Sequence, residues 1–257
     1  MASFSNQTVI AFTGDSITHG LGVEGHKYSD LVGTLMDASV FNFAKSAMPI
    51  AEVKGTLDEI IACSADYIVF SHVTVEAVIR PKASALKYMP ARWRKTGWMD
   101  PRPYFSKKFM KRLPQKMESN VRWRTKNMLI RLFRGATIST ESDYAADLRF
   151  ILSSLLNRTH SKIIVLSHFG IDDRFFPGSF ASFETFSKRS KEVVEQLKNP
   201  RLIWADVSSV CEKWSDYFED HFHPNKTGHE KIANQLVAII LGSIQKEQGL
   251  CAVAKEG

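Results

Sequence analysis

Residues 8–20, TVIAFTGDSITHG, run an apolar pentapeptide straight into a glycine and a short polar turn. TVIAF (8–12) has the length and β-branched content of a buried strand. Its lack of polar alternation argues for a sheet covered on both faces. Gly14 permits a tight turn at the strand's carboxyl end. Ser16 then opens the next loop or helix with its hydroxyl exposed and its N–H free to donate. In open α/β sheets that end of a strand is where ligands bind.

The same strand signal recurs at SVFNFA (39–44), YIVFSH (67–72), KIIVLSH (162–168) and RLIWADV (201–207). Helical patterns lie between them, at 28–36, 49–62, 141–159 and 182–197, and a last one follows at 225–245. Pro49 suits a first helical turn. Five strands alternating with helices predict a parallel sheet with right-handed crossovers, a three-layer α/β/α sandwich. The whole chain, 1–257, is expected to be one domain.

Segment 80–134 interrupts the rhythm. It carries seventeen Lys or Arg against Asp100 and Glu118, in a chain whose overall net charge is +7, so the remainder is acidic. Trp93, Trp98, Tyr104, Phe105, Phe109, Trp123 and Phe133 are interleaved with those cations. Pro90, Pro101, Pro103 and Pro114 argue against one long helix here, and 118–133 is the expected helical part. The segment is read as an insert: a substrate lid, a groove for an anionic polymer, an interfacial element for anionic lipid, or a solvated surface. No nucleic-acid module signature accompanies it, so nucleic acid is not expected as a partner.

Cys63, Cys211 and Cys251 are far apart and form no C-x-x-C, which excludes a disulfide framework and a zinc knuckle. MASFSNQTV at the start has neither a basic nor an apolar leader region, and no run is long enough to span a bilayer. The expectation is a cytoplasmic protein, soluble or peripheral to a membrane. The sequence leaves the oligomeric state open.

A serine hydroxyl needs a base within hydrogen-bond reach and a carboxylate to orient that base. DYFEDHFHPNKTGHEKIANQL (216–236) supplies both just before the last helix. The Asp220-His221-Phe222-His223 spacing lets a carboxylate reach Nδ1 of His223 while Nε2 faces the serine. His221 reads as exposed, His229 as a helix-surface residue and His19 as a rim residue. His221, His223 and His229 together are a zinc alternative that lacks a clear carboxylate or thiolate set. No metal or cofactor is expected.

FTGDSITHG and DHFHPNKTGHEKIA resemble the first and last blocks of the SGNH/GDSL hydrolase superfamily, and the intervening element order is similar apart from 80–134. The resemblance implies a flavodoxin-like hydrolase fold, with Ser16 as nucleophile, His223 as general base and Asp220 as its orienter. It also implies oxyanion donors at the N–H groups of Ser16 and Ala47. Ala47 replaces the second block's glycine, and its N–H is retained if φ is negative. Val75 stands where the third block has an asparagine donor. VTVEAVIR (73–80) is similar to a divergent branch associated with bacterial surface-polysaccharide biosynthesis, whose arginine Arg80 would match; Arg80 and Glu76 could equally form an ion pair. Candidates to line the substrate site are Asp15, Asn42, Val75, Arg80 and the strand-end histidines His72 and His168. The implied activity is a serine esterase releasing a small acyl group from a carbohydrate or related ester. The alternatives are an O-acyltransferase on the same fold and a non-catalytic binder on a degenerate one.

Overall fold

The computed structural model describes residues 7–95 and 97–253, with side chains described as far as 245. The first six residues, read above for a leader, and the side chain of Cys251 lie outside the described set. The five strands are β1 Val9–Gly14, β2 Ser39–Asn42, β3 Tyr67–Ser71, β4 Lys162–Leu166 and β5 Leu202–Ala205. They form one parallel sheet in the order β2-β1-β3-β4-β5. The predicted α/β/α architecture is the one observed.

The central strands carry apolar side chains on both faces, and each face seeds its own core. On one face Ala11, Ile68, Phe70, Ile163 and Val165 pack with the helices at α4 Glu141–Arg158 and α5 Ser179–Leu197. On the other, Ile10, Phe12, Val69, Ile164 and Leu166 pack with α1 Tyr28–Met36 and α6 Lys226–Val253. The 49–62 stretch is a helix broken by a 3₁₀ turn at Lys54–Thr56; its last part is α2 Leu57–Ala62, and Pro49 caps its start. The order 2-1-3-4-5 reverses direction beside β1, so the carboxyl ends of β1 and β3 border the crevice where this topology binds ligands. Short helices leave both ends there: Ser16–His19 after β1 and Val73–Ala77 after β3.

Gly14 is needed for closeness rather than for a turn. A Cβ there would lie 2.7 Å from the Ser71 carbonyl and inside the Thr18 side chain. The glycine therefore lets the Ser16 turn fold down onto β3.

The insert departs from its sequence expectation. One helix, α3 Phe109–Phe133, runs through it for 25 residues and contains Pro114. The proline is tolerated because it lies near the helix start, where its missing N–H forfeits a single bond to the carbonyl four residues back. Behind the helix a two-residue antiparallel pairing, Arg80–Pro81 with Gly135–Ala136, closes the insert's neck. The buried Lys126 pairs with the partly exposed Asp100 at 2.7 Å, and its ammonium stands 3.9 Å above the Phe176 ring of the body. Burial alone would raise the Asp100 carboxyl, but Lys126 and Arg80 hold it below its usual range. Among the described residues, no helix is long and apolar enough to cross a membrane.

Candidate active site

Ser16 is the first residue of its short helix, so its N–H has no intrahelical acceptor. Asp15 caps that helix: its side chain accepts from the Ile17 N–H at 2.9 Å. The serine is nearly buried, and its Oγ lies 2.9 Å from Nε2 of His223. His223 comes from the loop between β5 and α6. There a Tyr217–Pro224 bridge pinches the chain, and Phe218 N–H donates to the His223 carbonyl at 2.9 Å. Asn225 then caps α6, accepting from the Gly228 N–H at 3.2 Å.

Asp220 is buried and meets His223 twice. Its Oδ2 is 2.6 Å from ring Nδ1, and its Oδ1 accepts the backbone N–H groups of Phe222 and His223, each at 3.1 Å. The chain of contacts is therefore continuous from carboxylate to imidazole to hydroxyl. Burial alone would pull the His223 pKa down, but the Asp220 charge and hydrogen bond lift it above the ordinary histidine value. Asp15 behaves oppositely to a surface carboxylate. Burial pushes its pKa up to about 6, partly offset by the Ile17 N–H and the His223 charge. Its Oδ2 has no hydrogen-bond partner among the described residues.

Asn42 ends β2 and Ala47 lies in the loop that follows, beside this turn. Ala47 is exposed at φ 59°, so the negative φ assumed for it from sequence is not the one adopted. It occupies the left-handed region that glycine favours, yet keeps its N–H. Asn42 is not free to bind substrate. Its Nδ2 donates to the Thr18 carbonyl and to Ser29 Oγ, both at 3.0 Å, and its Oδ1 accepts from Ala44 N–H at 3.0 Å. It ties the β2 loop to the helix carrying Ser16. His19, exposed at the rim, adds a contact from Nδ1 to the Ala44 carbonyl at 3.1 Å.

Other candidates settle into the framework. Val75 is buried and apolar, and contributes no side-chain donor. His72 is buried with Nε2 3.0 Å from Thr13 Oγ1, and burial drives its pKa down to about 3. His168 is buried against Phe183, with Nε2 2.9 Å from Glu184. Arg80 donates to the carbonyls of Val75 and Val78 at 3.0 and 3.3 Å. Glu76 instead accepts from Ile50 N–H at 2.6 Å and from Ser139.

The three histidines of the last block part company. His221 is half-buried rather than exposed; it stacks on Trp214 and its Nδ1 lies 2.7 Å from Asp172. His229 is buried, not on the helix surface: its Nδ1 accepts from Tyr28 N–H at 3.0 Å and its ring stacks on Tyr28. Burial lowers its pKa to about 3. Among the described residues no cluster of His, Cys, Asp and Glu is arranged to hold a metal. A cavity of about 590 Å³ lined by Asp66, His160, Lys162 and Arg201 lies at the amino ends of the strands, at the opposite edge from Ser16.

No protein-family model matches the chain, and no curated protein matches it. Solved structures do. An α/β hydrolase, LAE5, from the metagenome of Lake Arreo, Spain, aligns at TM-score 0.58 and 14% identity, over 90% of this chain and 94% of that one. The acetyl xylan esterase Axe2 of Geobacillus stearothermophilus aligns at TM-score 0.55 and 16% identity, over 90% and 93%. A variant of it with a tryptophan replaced by isoleucine aligns at 0.57 over the same shares. Variants of that esterase with a serine, an aspartate or a histidine replaced by alanine are described as catalytic mutants. At such identities the likeness establishes the fold alone: a three-layer α/β/α sandwich across nearly the whole chain.

Proposed function

We propose that the chain is a serine acyl-ester hydrolase of the SGNH/GDSL type, with Ser16, His223 and Asp220 as its triad. The observation that carries this reading is the unbroken contact line, 2.6 Å from Asp220 to His223 and 2.9 Å from His223 to Ser16. Ser16 Oγ attacks the ester carbonyl while His223 Nε2 takes its proton. Asp220 keeps the proton on Nδ1 and stabilises the imidazolium that forms. The N–H groups of Ser16 and Ala47 are assigned to the developing oxyanion. Collapse of the tetrahedral intermediate breaks the C–O bond to the alcohol, which leaves with the proton from His223. Water, deprotonated by the same imidazole, then attacks the acyl-serine and releases the carboxylic acid.

The proposed substrate is a small acyl ester, O-acetyl above all, on a carbohydrate; the fold neighbours described as acetyl xylan esterases support this class. Fluorophosphonate labelling followed by peptide mass spectrometry tests the reading. The expected adduct is on Ser16, absent from the His223→Ala variant. Folded protein with no adduct at Ser16 would overturn the assignment.

A further inference from the structure

Helix α3 is turned inside out. The side it presents to the body is largely polar: Ser119, Arg122, Lys126 and Asn127 are buried there, with Leu129 and Ile130 beside them. The side it presents to solvent is apolar: Met110, Leu113, Met117, Val121, Met128 and Leu132 are all exposed, from 52% at Met128 to 83% at Met110. At 3.6 residues per turn these six fall within an arc of about 100°, the width of the stripe an ordinary surface helix turns towards its core. The stripe runs the length of a helix about 37 Å long.

Charge decides what fits this stripe. Phe109–Phe133 holds seven Lys or Arg and one acid, Glu118, which is engaged by Arg102 and Arg122. Arg124 and Arg131 lie within or beside the arc, and Lys111 and Arg134 flank it; all four are exposed. Glu219 of the body, the acid paired with Arg112 and Lys116, meets the inner flank of the helix. A second copy laid stripe to stripe would set arginine against arginine with no acid between them. A bilayer of anionic lipid offers what both features require: an apolar layer for the methionine, leucine and valine side chains, and headgroup phosphates for the guanidinium and ammonium groups snorkelling from the edges.

We infer that α3 is an interfacial helix that docks the protein on an anionic membrane surface. The helix lies parallel to the bilayer plane with its stripe immersed, and its inner side keeps its bonds to the body. Through the Arg112 and Lys116 ion pairs to Glu219, neighbour of Asp220, docking fixes the catalytic loop close behind the helix. The docking does not depend on Ser16 being a nucleophile.

Co-sedimentation of the full chain with phosphatidylglycerol vesicles and with phosphatidylcholine vesicles tests this, at low and physiological salt. Binding to the anionic vesicles that weakens with salt is expected. Leu113→Ser/Met117→Ser/Val121→Ser removes exposed side chains alone, so the fold is kept, and it should lower partitioning at least about tenfold. Arg124→Glu/Arg131→Glu should lower it comparably. Ser16→Ala should bind as the wild type does, which separates this inference from the catalytic one. No binding to anionic vesicles at low salt overturns the inference, as does binding that survives both sets of substitutions. Light scattering that finds a dimer dissociated by the triple substitution would assign the stripe to a second copy. Equal affinity for soluble polyglutamate, untouched by the triple substitution, would assign the helix's cations to an acidic protein and overturn the inference.

Discussion

Asp220 grips His223 from two directions: one carboxylate oxygen lies 2.6 Å from ring Nδ1, and the other accepts the histidine's own backbone N–H at 3.1 Å. The second oxygen also accepts from Phe222 N–H, so the backbone dictates which way the carboxylate is turned.

That arrangement makes Asp220→Asn worse than its size suggests. The amide oxygen must take the two backbone N–H groups, which leaves the NH₂ facing Nδ1. The imidazole is then forced into the tautomer with its proton on Nε2, unable to accept from Ser16. We expect kcat/KM on a short ester to fall by about 10³-fold or more, near the loss for Ser16→Ala. Asp220→Ala, which imposes no tautomer, should lose less. An asparagine variant more active than the alanine variant refutes the argument.

The pH profile follows from the raised pKa of His223. The base must be neutral, so kcat/KM should climb with pH along a limb centred above 6.5. Removing the Asp220 charge removes what holds that pKa up, so the Asp220→Ala limb should move to lower pH. A limb that stays in place in the variant would assign it to another group.

Asp15 gives a stability signature of its own. Its carboxyl titrates near 6 when folded, against 3.8 as a free side chain. The folded state therefore holds a proton that the unfolded state has lost. This contribution is intact below about pH 4 and is lost as pH rises through about 6. Asp15→Asn keeps the cap to Ile17 without the charge, so it should gain on the wild type across that window. A gain on the order of 2–3 kcal/mol above about pH 6 is expected, read by urea unfolding at several pH values. A difference independent of pH would show that burial is not what perturbs Asp15.

Ala47 is an alanine in a glycine conformation, at φ 59°. Ala47→Gly should relieve about 0.5–1 kcal/mol and raise the urea midpoint. The N–H is unchanged, so the esterase rate should stay within a factor of about three. A destabilised variant would mean that the alanine methyl makes contacts worth more than the strain.

The Asp100–Lys126 pair ties helix α3 to the segment before it within the insert. Lys126→Met leaves the partly exposed Asp100 carboxylate without its ammonium partner and should cost about 1–3 kcal/mol. Asp100→Leu/Lys126→Met should recover most of that loss. Additive costs in a double-mutant cycle would show that the two residues are not coupled.

The sheet is legible in the strand pattern alone. TVIAF, YIVFSH and KIIVLSH are apolar without alternation, and a run of that kind satisfies its side chains only between two helical layers. The sequence also put Asp220 within reach of His223, because the Asp-x-x-His spacing is local, and set Ser16 at a strand end that the topology points at the crevice; the pairing of Ser16 with His223 was implied by the resemblance and is made by the tertiary structure. Tertiary structure decided what depends on a partner distant in the chain. His229 is buried because Tyr28, on another helix, gives it an N–H and a ring to stack on. Asn42 serves the protein because Thr18 and Ser29 lie across from it. Helix α3 turns its polar side inward because Asp100 and the Trp98 and Arg174 carbonyls wait there for Lys126, Arg122 and Asn127. Local periodicity registers how apolar a face is. It carries nothing about which charges and carbonyls the rest of the fold has placed opposite that face.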